Sequence, residues 1–140
     1  MTETRSIEFK TAGDGSIVDI TPDISRAVRE SGITSGVVTA FVPGSTAGLT
    51  TIEHEPGLLQ DIPQLMEKLV PSDRTYQHDE TWHDGNGFSH LRSALIGPDI
   101  SVPFTNSELL LGTWQQVVFL DFDNRPRSRK VILQIMGDTD

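Results

Sequence analysis

The chain has 140 residues, a formal net charge of −9 and no cysteine. This length fits one domain with a core of its own, so we expect residues 1–140 to form a single unit. The lack of cysteine excludes disulfides, thiolate zinc sites and a cysteine nucleophile. The acidic balance argues against a general nucleic-acid-binding protein, which needs a basic surface.

The sequence also bears on where the protein is found. No apolar run approaches the ~18 residues that span a bilayer, and the first residues contain no apolar segment of the kind that directs secretion. We therefore expect a cytoplasmic protein that does not associate with membranes. Its acidic residues are twelve aspartates and eight glutamates, which fits either adaptation to high salt or an ordinary acidic surface.

The N-terminal part predicts two strands and a helix. Residues 6–11 alternate between polar and apolar side chains, and residues 16–20 follow a Gly13-Asp14-Gly15 turn, so a hairpin is expected. Thr21-Pro22-Asp23 then supplies a hydroxyl cap, a proline at the first helical position and an acid at the positive end of the helix dipole. We expect this helix to end at Ser31-Gly32.

The next segment predicts a buried strand, a bend, a second strand and a helix. Residues 36–42 are mostly apolar and β-branched, and extended structure resumes at residues 49–52 after a bend of small residues. Apolar side chains recur at helical spacing between residues 57 and 70. Because Pro63 lacks the backbone donor that a helix interior uses, the helix is expected to become regular only from about Asp61.

Extended structure is predicted for most of the remaining chain. Strands are expected at residues 90–96, 100–104, 114–122 and 129–136, with Trp114 in the core. The order of elements indicates an α+β domain, a largely antiparallel sheet or sandwich that two helices cover in part.

Three of the four histidines, His78, His83 and His90, fall in one polar stretch. A Gly85-Asn86-Gly87 turn lets the backbone reverse between them, because glycine adopts positive φ without steric penalty. Imidazoles and carboxylates without thiolates suit zinc or another divalent cation, and His78 and His90 are the first candidates as ligands. Since the spacing matches no specific metal motif, a hydrogen-bonded turn with surface histidines is an equal alternative.

The third metal ligand could be His83, Asp84 or Glu53. If the backbone around Glu53 is extended, Glu53 and Glu55 share one face, and a buried Glu53 could act as a general base or as a ligand. A solvated charge cluster in front of a helix is the better interpretation from spacing alone.

Two groups of residues could contact phosphate. Ser45 and Thr46, beside glycine amides, could form an anion-binding nest, although the lysine of a Walker motif is missing. On the predicted strand, Arg92 points the same way as His90 and could clamp a phosphate bidentately.

Three arginines, Arg125, Arg127 and Arg129, alternate along an extended segment near a turn. For these residues a solvated basic patch, or salt bridges to a neighbouring acidic surface, is the favoured interpretation. Trp82 lies in a polar loop and, with Trp114, could flank a flat ring, although a core position is favoured for Trp114.

Four motifs follow one another over nearly the whole chain. They are Phe-Val-Pro-Gly-Ser-Thr-Ala-Gly-Leu-Thr-Thr-Ile-Glu-His-Glu at 41–55, Asp-Gly-Asn-Gly-Phe-Ser-His-Leu-Arg-Ser-Ala-Leu-Ile-Gly-Pro at 84–98, Leu-Gly-Thr-Trp-Gln-Gln at 111–116 and Asp-Phe-Asp-Asn-Arg-Pro-Arg at 121–127. Together they resemble the YjbQ-like family, often labelled secondary thiamine-phosphate synthase. The resemblance implies a compact α+β fold assembled as a homotrimer, with a polar site whose histidines can hold a divalent metal such as zinc.

The resemblance extends to single positions. The family's Tyr-x-His matches Tyr76-Gln77-His78, its following Asn and His match Asn86 and His90, and its Glu after the Thr-rich strand matches Glu53. Many relatives carry His-Thr-Thr after the proline, where this chain has Gly44-Ser45-Thr46, so one possible histidine ligand is absent.

The resemblance implies a small metal-assisted enzyme that joins a pyrimidine diphosphate to a thiazole phosphate and releases pyrophosphate. In this interpretation His78 and His90, with His83 as the third candidate, hold the metal, Arg92 meets phosphate, and Glu53 orients a ligand or moves a proton. The other contacts to the ligand would come from Ser45, Thr46 and Asn86.

Two alternatives to this enzyme stay open. The first is a non-catalytic trimer that binds metal or a small ligand. The second is a metal-dependent hydrolase of phosphoesters. In each case the expected partner is a small molecule, in the enzyme case a phosphorylated metabolite.

Overall fold

The computed structural model describes all 140 residues and contains eight strands and four helices. In chain order the elements are β1 (Thr2–Thr11), β2 (Ser16–Asp19), α1 (Thr21–Ser31), β3 (Ser35–Phe41), β4 (Ala47–Ile52), α2 (Pro56–Leu69), α3 (Gln77–Trp82), α4 (Gly87–Ile96), β5 (Asp99–Thr105), β6 (Glu108–Leu109), β7 (Gln116–Asp121) and β8 (Arg127–Asp138). None of the helices combines the length and the apolar character needed to cross a membrane.

The strands form two sheets in which every pairing is antiparallel. The larger sheet has the order β1-β8-β3-β5-β6, and the smaller has the order β2-β7-β4. The largest apolar cluster joins inward side chains of both sheets with Ile24, Ala27 and Val28 of α1. The expected α+β class and the largely antiparallel sheets are therefore confirmed.

Strand β7 contributes to two apolar clusters at once. Val117 and Phe119 belong to the main core between the sheets, whereas Val118 and Leu120 pack with Met66 of α2 in a second cluster. This explains why the strand is a continuous apolar run and does not alternate, since both of its faces are covered. The helices α2 and α4 thus form an outer layer on the smaller sheet.

The predicted hairpin between the first two strands is wrong. β1 pairs with β8, and β2 pairs with β7 of the other sheet. The turn that was expected to close the hairpin carries the chain from one sheet to the other. It is held there by hydrogen bonds from the Asp14 N–H to the Asp123 carbonyl and from the Gly15 N–H to the Asp121 carbonyl, both 2.7 Å.

Residues 87–96 form the helix α4, so the strand predicted there is wrong. The buried side chains Phe88, Ser89, Arg92 and Ser93 follow one another at the spacing of a helix face. Three of these four residues are polar, which hides the buried stripe from any pattern based on hydrophobicity. With α3, which was not predicted either, the domain has four helices, where two were expected.

Helix α2 also starts earlier than predicted. The Glu55 carboxylate accepts hydrogen bonds from the backbone N–H groups of Gly57 (2.8 Å) and Leu58, and Pro56 takes the first helical position. This cap makes the helix regular from Pro56 onward, and Pro63 lies inside it at the loss of one backbone donor.

The core position favoured for Trp114 is wrong. Its side chain is 73% exposed, because it precedes β7, which begins at Gln116. The surrounding loop is held by Gln115, whose amide nitrogen donates to the Thr51 hydroxyl (3.1 Å) and whose amide oxygen accepts from the Gly112 N–H (3.1 Å).

Two serines one turn apart on α4 give a matched test of its packing. The Ser93 hydroxyl donates to the Ala47 carbonyl at 2.6 Å, whereas the fully buried Ser89 hydroxyl has no partner. Because a buried hydroxyl without a hydrogen bond costs about 1–3 kcal/mol, Ser89→Ala is expected to raise the free energy of unfolding by about 1 kcal/mol. Ser93→Ala is expected to lower it by about 1 kcal/mol. Urea unfolding measures both, and equal losses in the two variants would contradict this assignment.

Candidate functional site

The histidine-rich stretch forms a corner between α3 and α4. The Asp79 carboxylate accepts hydrogen bonds from the backbone N–H groups of Tyr76 (2.8 Å) and Gly87 (2.9 Å), so one side chain ties the start of α3 to the start of α4. These two hydrogen bonds hold the pKa of Asp79 below its usual range. A Cβ atom on Gly87 would lie 2.8 Å from the Tyr76 Cβ, so the close approach requires glycine.

His78 and His90 lie side by side at this corner. Their ring centroids are 4.3 Å apart, the planes are inclined by 49°, and both rings are half-buried. The His78 Nε2 atom is 3.5 Å from the nearer carboxylate oxygen of Asp84. The corner therefore brings together two imidazoles and one carboxylate, although the histidines lie on two helices and not on a loop and a strand.

Asn86 is buried against His78 and Asp84. With its amide nitrogen facing these groups, it donates to the two carboxylate oxygens of Asp84 (2.8 and 3.2 Å) and to Nε2 of His78 (3.1 Å). The Asn86 amide therefore holds the His78 ring and the Asp84 carboxylate in place at the corner.

The metal ligands available within one chain are limited. No group of three His, Asp or Glu side chains is close enough to hold a metal ion. His83, the third histidine candidate, is exposed and ends α3 in the left-handed conformation (φ 59°). The corner thus offers His78 and His90 with Asp84 beside them. A complete set of metal ligands needs a movement of these side chains or a further ligand from outside the corner.

Glu53 makes no polar contact with the corner. It is exposed in the segment between β4 and α2, and neither a hydrogen bond nor an ion pair joins it to the histidines. Its neighbour His54 is also exposed and donates its backbone N–H to the Gln116 side chain at 2.9 Å. The structure therefore agrees with a solvated charge cluster in front of a helix, and the buried Glu53 considered for a general base is not found.

Arg92 contacts α2 and its C-terminal end. Its guanidinium donates to the Val70 carbonyl from Nη2 (2.7 Å) and Nε (3.1 Å), and Nη2 also pairs with Glu67 at 2.8 Å. The strand geometry that aligned Arg92 with His90 is wrong, because both residues are helical. The side chain is buried, and Nε and Nη2 are used within the fold, so of its donor atoms Nη1 alone has no partner.

Thr46 is part of an internal hydrogen-bond network. Its hydroxyl donates to Asp123 Oδ2 (3.1 Å) and accepts from Arg129 Nη2 (2.9 Å). Ser45, the other residue of the expected anion nest, is exposed next to it. The Thr46 hydroxyl is therefore used by the protein, which removes one of the two side-chain donors expected for that nest.

The same network contains two buried carboxylates. Arg129 donates from Nε and Nη2 to the two oxygens of Asp121, both at 2.7 Å, and Arg127 donates from Nε to Asp123, also at 2.7 Å. Burial acts to raise the pKa of Asp121, but hydrogen bonds from Arg129 and Thr11 outweigh it and hold the pKa below its usual range. The salt-bridge interpretation is thus confirmed for two of the three arginines, with buried acids as their partners.

Arg125 is the third arginine of this segment, and it forms no ion pair. It lines a cleft of about 300 Å³ with Asp84, Asn86 and Asn124. The Asn124 amide donates to the Asp84 carbonyl at 3.2 Å, which joins this turn to the histidine corner. Sequence reasoning missed Asn124 and Arg125 as site residues, because only the packing of the turn between β7 and β8 brings them to the corner.

A second cavity, of about 250 Å³, opens beside the imidazole rings. It is lined by Tyr76, Gln77, His78, Gly87, His90 and Leu91. The histidine corner therefore has a polar cleft beyond Asn86 and a separate opening at the rings themselves.

Comparison with known proteins gives consistent matches over nearly the whole chain. A model for the family described as UPF0047 protein YjbQ-like matches residues 5–138. A UPF0047 protein of Archaeoglobus fulgidus is 41% identical over 130 residues, covering 93% of this chain and 98% of that protein. The UPF0047 protein YugU of Bacillus subtilis is 32% identical over 135 residues, covering 95% and 98%.

Solved structures show the same architecture. A hypothetical protein from Aeropyrum pernix K1 superposes with a TM-score of 0.90 at 30% identity, covering 97% of this chain and 99% of that one. A YbjQ-like protein of unknown function from Sulfolobus solfataricus P2 gives a TM-score of 0.88 at 27% identity, covering 99% and 100%.

Proposed function

The chain belongs to the YjbQ-like UPF0047 family, and from that premise we propose that the corner between α3 and α4 is a divalent-metal site of a small enzyme. The substrate is a small phosphorylated metabolite. The reaction that the family resemblance implies joins a pyrimidine diphosphate to a thiazole phosphate with loss of pyrophosphate. The metal is zinc or a similar divalent cation.

The proximity of the His78 and His90 rings supports this proposal above all other features. The ring centroids are 4.3 Å apart, and a carboxylate oxygen of Asp84 lies 3.5 Å from His78. Imidazole with carboxylate, and without thiolate, is a donor set that suits zinc and related cations. When bound, such an ion stabilises the negative charge that develops on the departing pyrophosphate.

The surrounding residues position the corner. Asp79 fixes the two helix starts relative to each other, and Asn86 donates to His78 and to Asp84. Such outer partners typically tune metal affinity by 10–100-fold. A homotrimer accompanies the proposal on family grounds, and the exposed side chains of Val37, Phe41 and Met136 on the larger sheet give it an apolar surface to bury.

Titration with Co²⁺ tests the site, because its absorption bands report ligand number. We expect the wild-type protein to bind one ion per chain. His78→Ala and His90→Ala should each weaken binding by at least roughly tenfold, since each removes a direct ligand. His54→Ala removes an exposed histidine outside the corner and is the matched control. Wild-type affinity in both corner variants would place any metal elsewhere and end the proposal for this site.

The activity needs its own measurement. The metal-loaded protein is incubated with the pyrimidine diphosphate and the thiazole phosphate, and thiamine phosphate is quantified. Binding of metal without any product would remove the proposed reaction while leaving the metal site intact.

One observation favours a non-catalytic alternative, a trimeric protein that captures metal or a small ligand. Neither residue that the sequence marked for catalysis forms a hydrogen bond or an ion pair with the corner histidines. Glu53 is exposed, and Arg92 uses Nε and Nη2 on α2 and its end. If the protein binds metal and phosphate but turns over neither the synthase substrates nor a phosphoester, this alternative replaces the enzyme.

A further inference from the structure

We propose that Arg125 and Asn124 form an anion subsite that holds a phosphate group of the ligand beside the histidine corner. The identity of the ligand as a substrate rests on the proposed function, but the binding of the anion does not. From the sequence a solvated basic patch or a salt bridge was favoured for Arg125, and Asn124 was not singled out.

The turn that carries Arg125 has a fixed backbone. The Asp123 carbonyl accepts from the Asp14 N–H at 2.7 Å, and the Asp123 carboxylate accepts from the Asn124 N–H at 2.8 Å. The Arg125 carbonyl packs against Gly13 so closely that a Cβ atom there would collide with it. The base of the Arg125 side chain is therefore held in place before any ligand arrives.

Arg125 is also the arginine of this segment that is free to bind an external anion. Arg127 and Arg129 are neutralised by Asp123 and Asp121, at 2.7 Å in each case. Arg125 forms no ion pair with Asp84, although both line the same cleft. With the Asn86 amide nitrogen facing it, the Asp84 carboxylate is occupied by that amide.

The cleft is suited to phosphate by its donors. A guanidinium presents parallel N–H groups that match two phosphate oxygens. The Asn124 amide adds a further N–H donor, because it uses only one of its two on the Asp84 carbonyl. The volume of about 300 Å³ lies at the lower end for small-ligand pockets, ~300–1,000 Å³, which fits a phosphate and the adjoining part of a small metabolite.

The position of Asn86 connects the cleft to the histidines. Asn86 lines the cleft and also touches the His78 ring at 3.1 Å. An anion on Arg125 therefore lies one side chain away from His78. Asn86 thus couples an anion in the cleft to the ring of His78.

Calorimetric titration with inorganic phosphate tests the subsite on the full-length protein. We expect Arg125→Ala to weaken phosphate binding roughly tenfold, the loss expected for a charge-assisted hydrogen-bonded contact. Arg125→Lys keeps the charge but not the paired donors, so it should fall between the wild type and alanine. Arg29→Ala is the matched control, because it removes an exposed arginine charge on α1, away from the cleft.

Three outcomes would overturn the subsite: no phosphate binding by the wild type in the millimolar range, wild-type affinity in Arg125→Ala, or an equal loss in Arg29→Ala. Repeating the titration in EDTA, and measuring Co²⁺ affinity of Arg125→Ala without phosphate, separates this subsite from the metal site. Phosphate binding that depends on Arg125 in a protein that binds no metal would uphold the subsite and refute the proposed function.

Discussion

Replacement of Arg129 by alanine is expected to lower the free energy of unfolding by about 3–5 kcal/mol, the range found when one partner of a buried ion pair is removed. Asp121 is fully buried and receives two hydrogen bonds of 2.7 Å from this guanidinium. The variant would leave its carboxylate charged, desolvated and without its cation. Urea unfolding followed by circular dichroism measures the loss.

A surface ion pair provides the control for Arg129. Arg26 and Asp23 are also 2.7 Å apart, but the arginine side chain is 59% exposed. Arg26→Ala should therefore change stability by no more than about 0.5 kcal/mol. If Arg129→Ala lowered the free energy of unfolding no more than Arg26→Ala does, burial of the Asp121–Arg129 pair would add nothing to stability. The expectation would then be wrong.

The pH dependence of stability gives an independent check of the same pair. The pKa of Asp121 is lower in the folded protein than its ordinary value, so the ionised form is favoured by folding. Its stabilising contribution is present above the ordinary pKa range of aspartate and is lost as the pH falls through the folded-state value. The difference between the wild type and Arg129→Ala should therefore narrow on acidification.

Arg92→Ala is expected to lower the free energy of unfolding by about 2–4 kcal/mol, combining a truncated buried side chain with lost charge-assisted hydrogen bonds. Arg92 supplies both donors to the Val70 carbonyl at the end of α2, and its guanidinium lies 4.9 Å from the ring centre of Phe88. Its removal would loosen α2 from α4. Urea unfolding again measures the effect.

The matched variant for Arg92 is Arg125→Ala. It removes the same side chain from an exposed turn, so its stability should stay within about 0.5 kcal/mol of the wild type. The ranking should be reversed for phosphate affinity measured on folded protein: Arg125→Ala should lose affinity, and Arg92→Ala should keep it. A stable Arg92→Ala protein that had lost phosphate binding would restore Arg92 as the phosphate contact and displace Arg125.

Sequence patterns predicted those elements whose buried side chains are apolar. Helix α1 and strands β3 and β7 were found because their periodicity or continuous apolar content reflects how they are covered. Helix α4 was missed because its buried face carries Ser89, Arg92 and Ser93. The hairpin was predicted wrongly, since a glycine-rich turn indicates a reversal but not which sheet receives the next strand.

The candidate site was predictable only in part. Three histidines close together in the sequence and the Gly85-Asn86-Gly87 turn pointed to the segment that forms the corner. His78 and His90 do lie close together there. The roles of the arginines could not be read from spacing. Arg125 and Arg92 are both arginines near polar residues, and their difference arises from what the folded chain places around them, which is solvent for one and a helix end for the other.

The double coverage of β7 gives the two walls of the candidate site different stiffness. The turn that carries Arg125 follows directly on β7, a strand that is buried on both faces. This side of the site can therefore be displaced only when the core of the domain unfolds. The opposite side includes α3, a helix of six residues with no buried side chain, which is held to α4 by the hydrogen bonds of Asp79 and not by an apolar core. A ligand would thus contact a rigid surface on the side of Arg125 and a more deformable one on the side of His78.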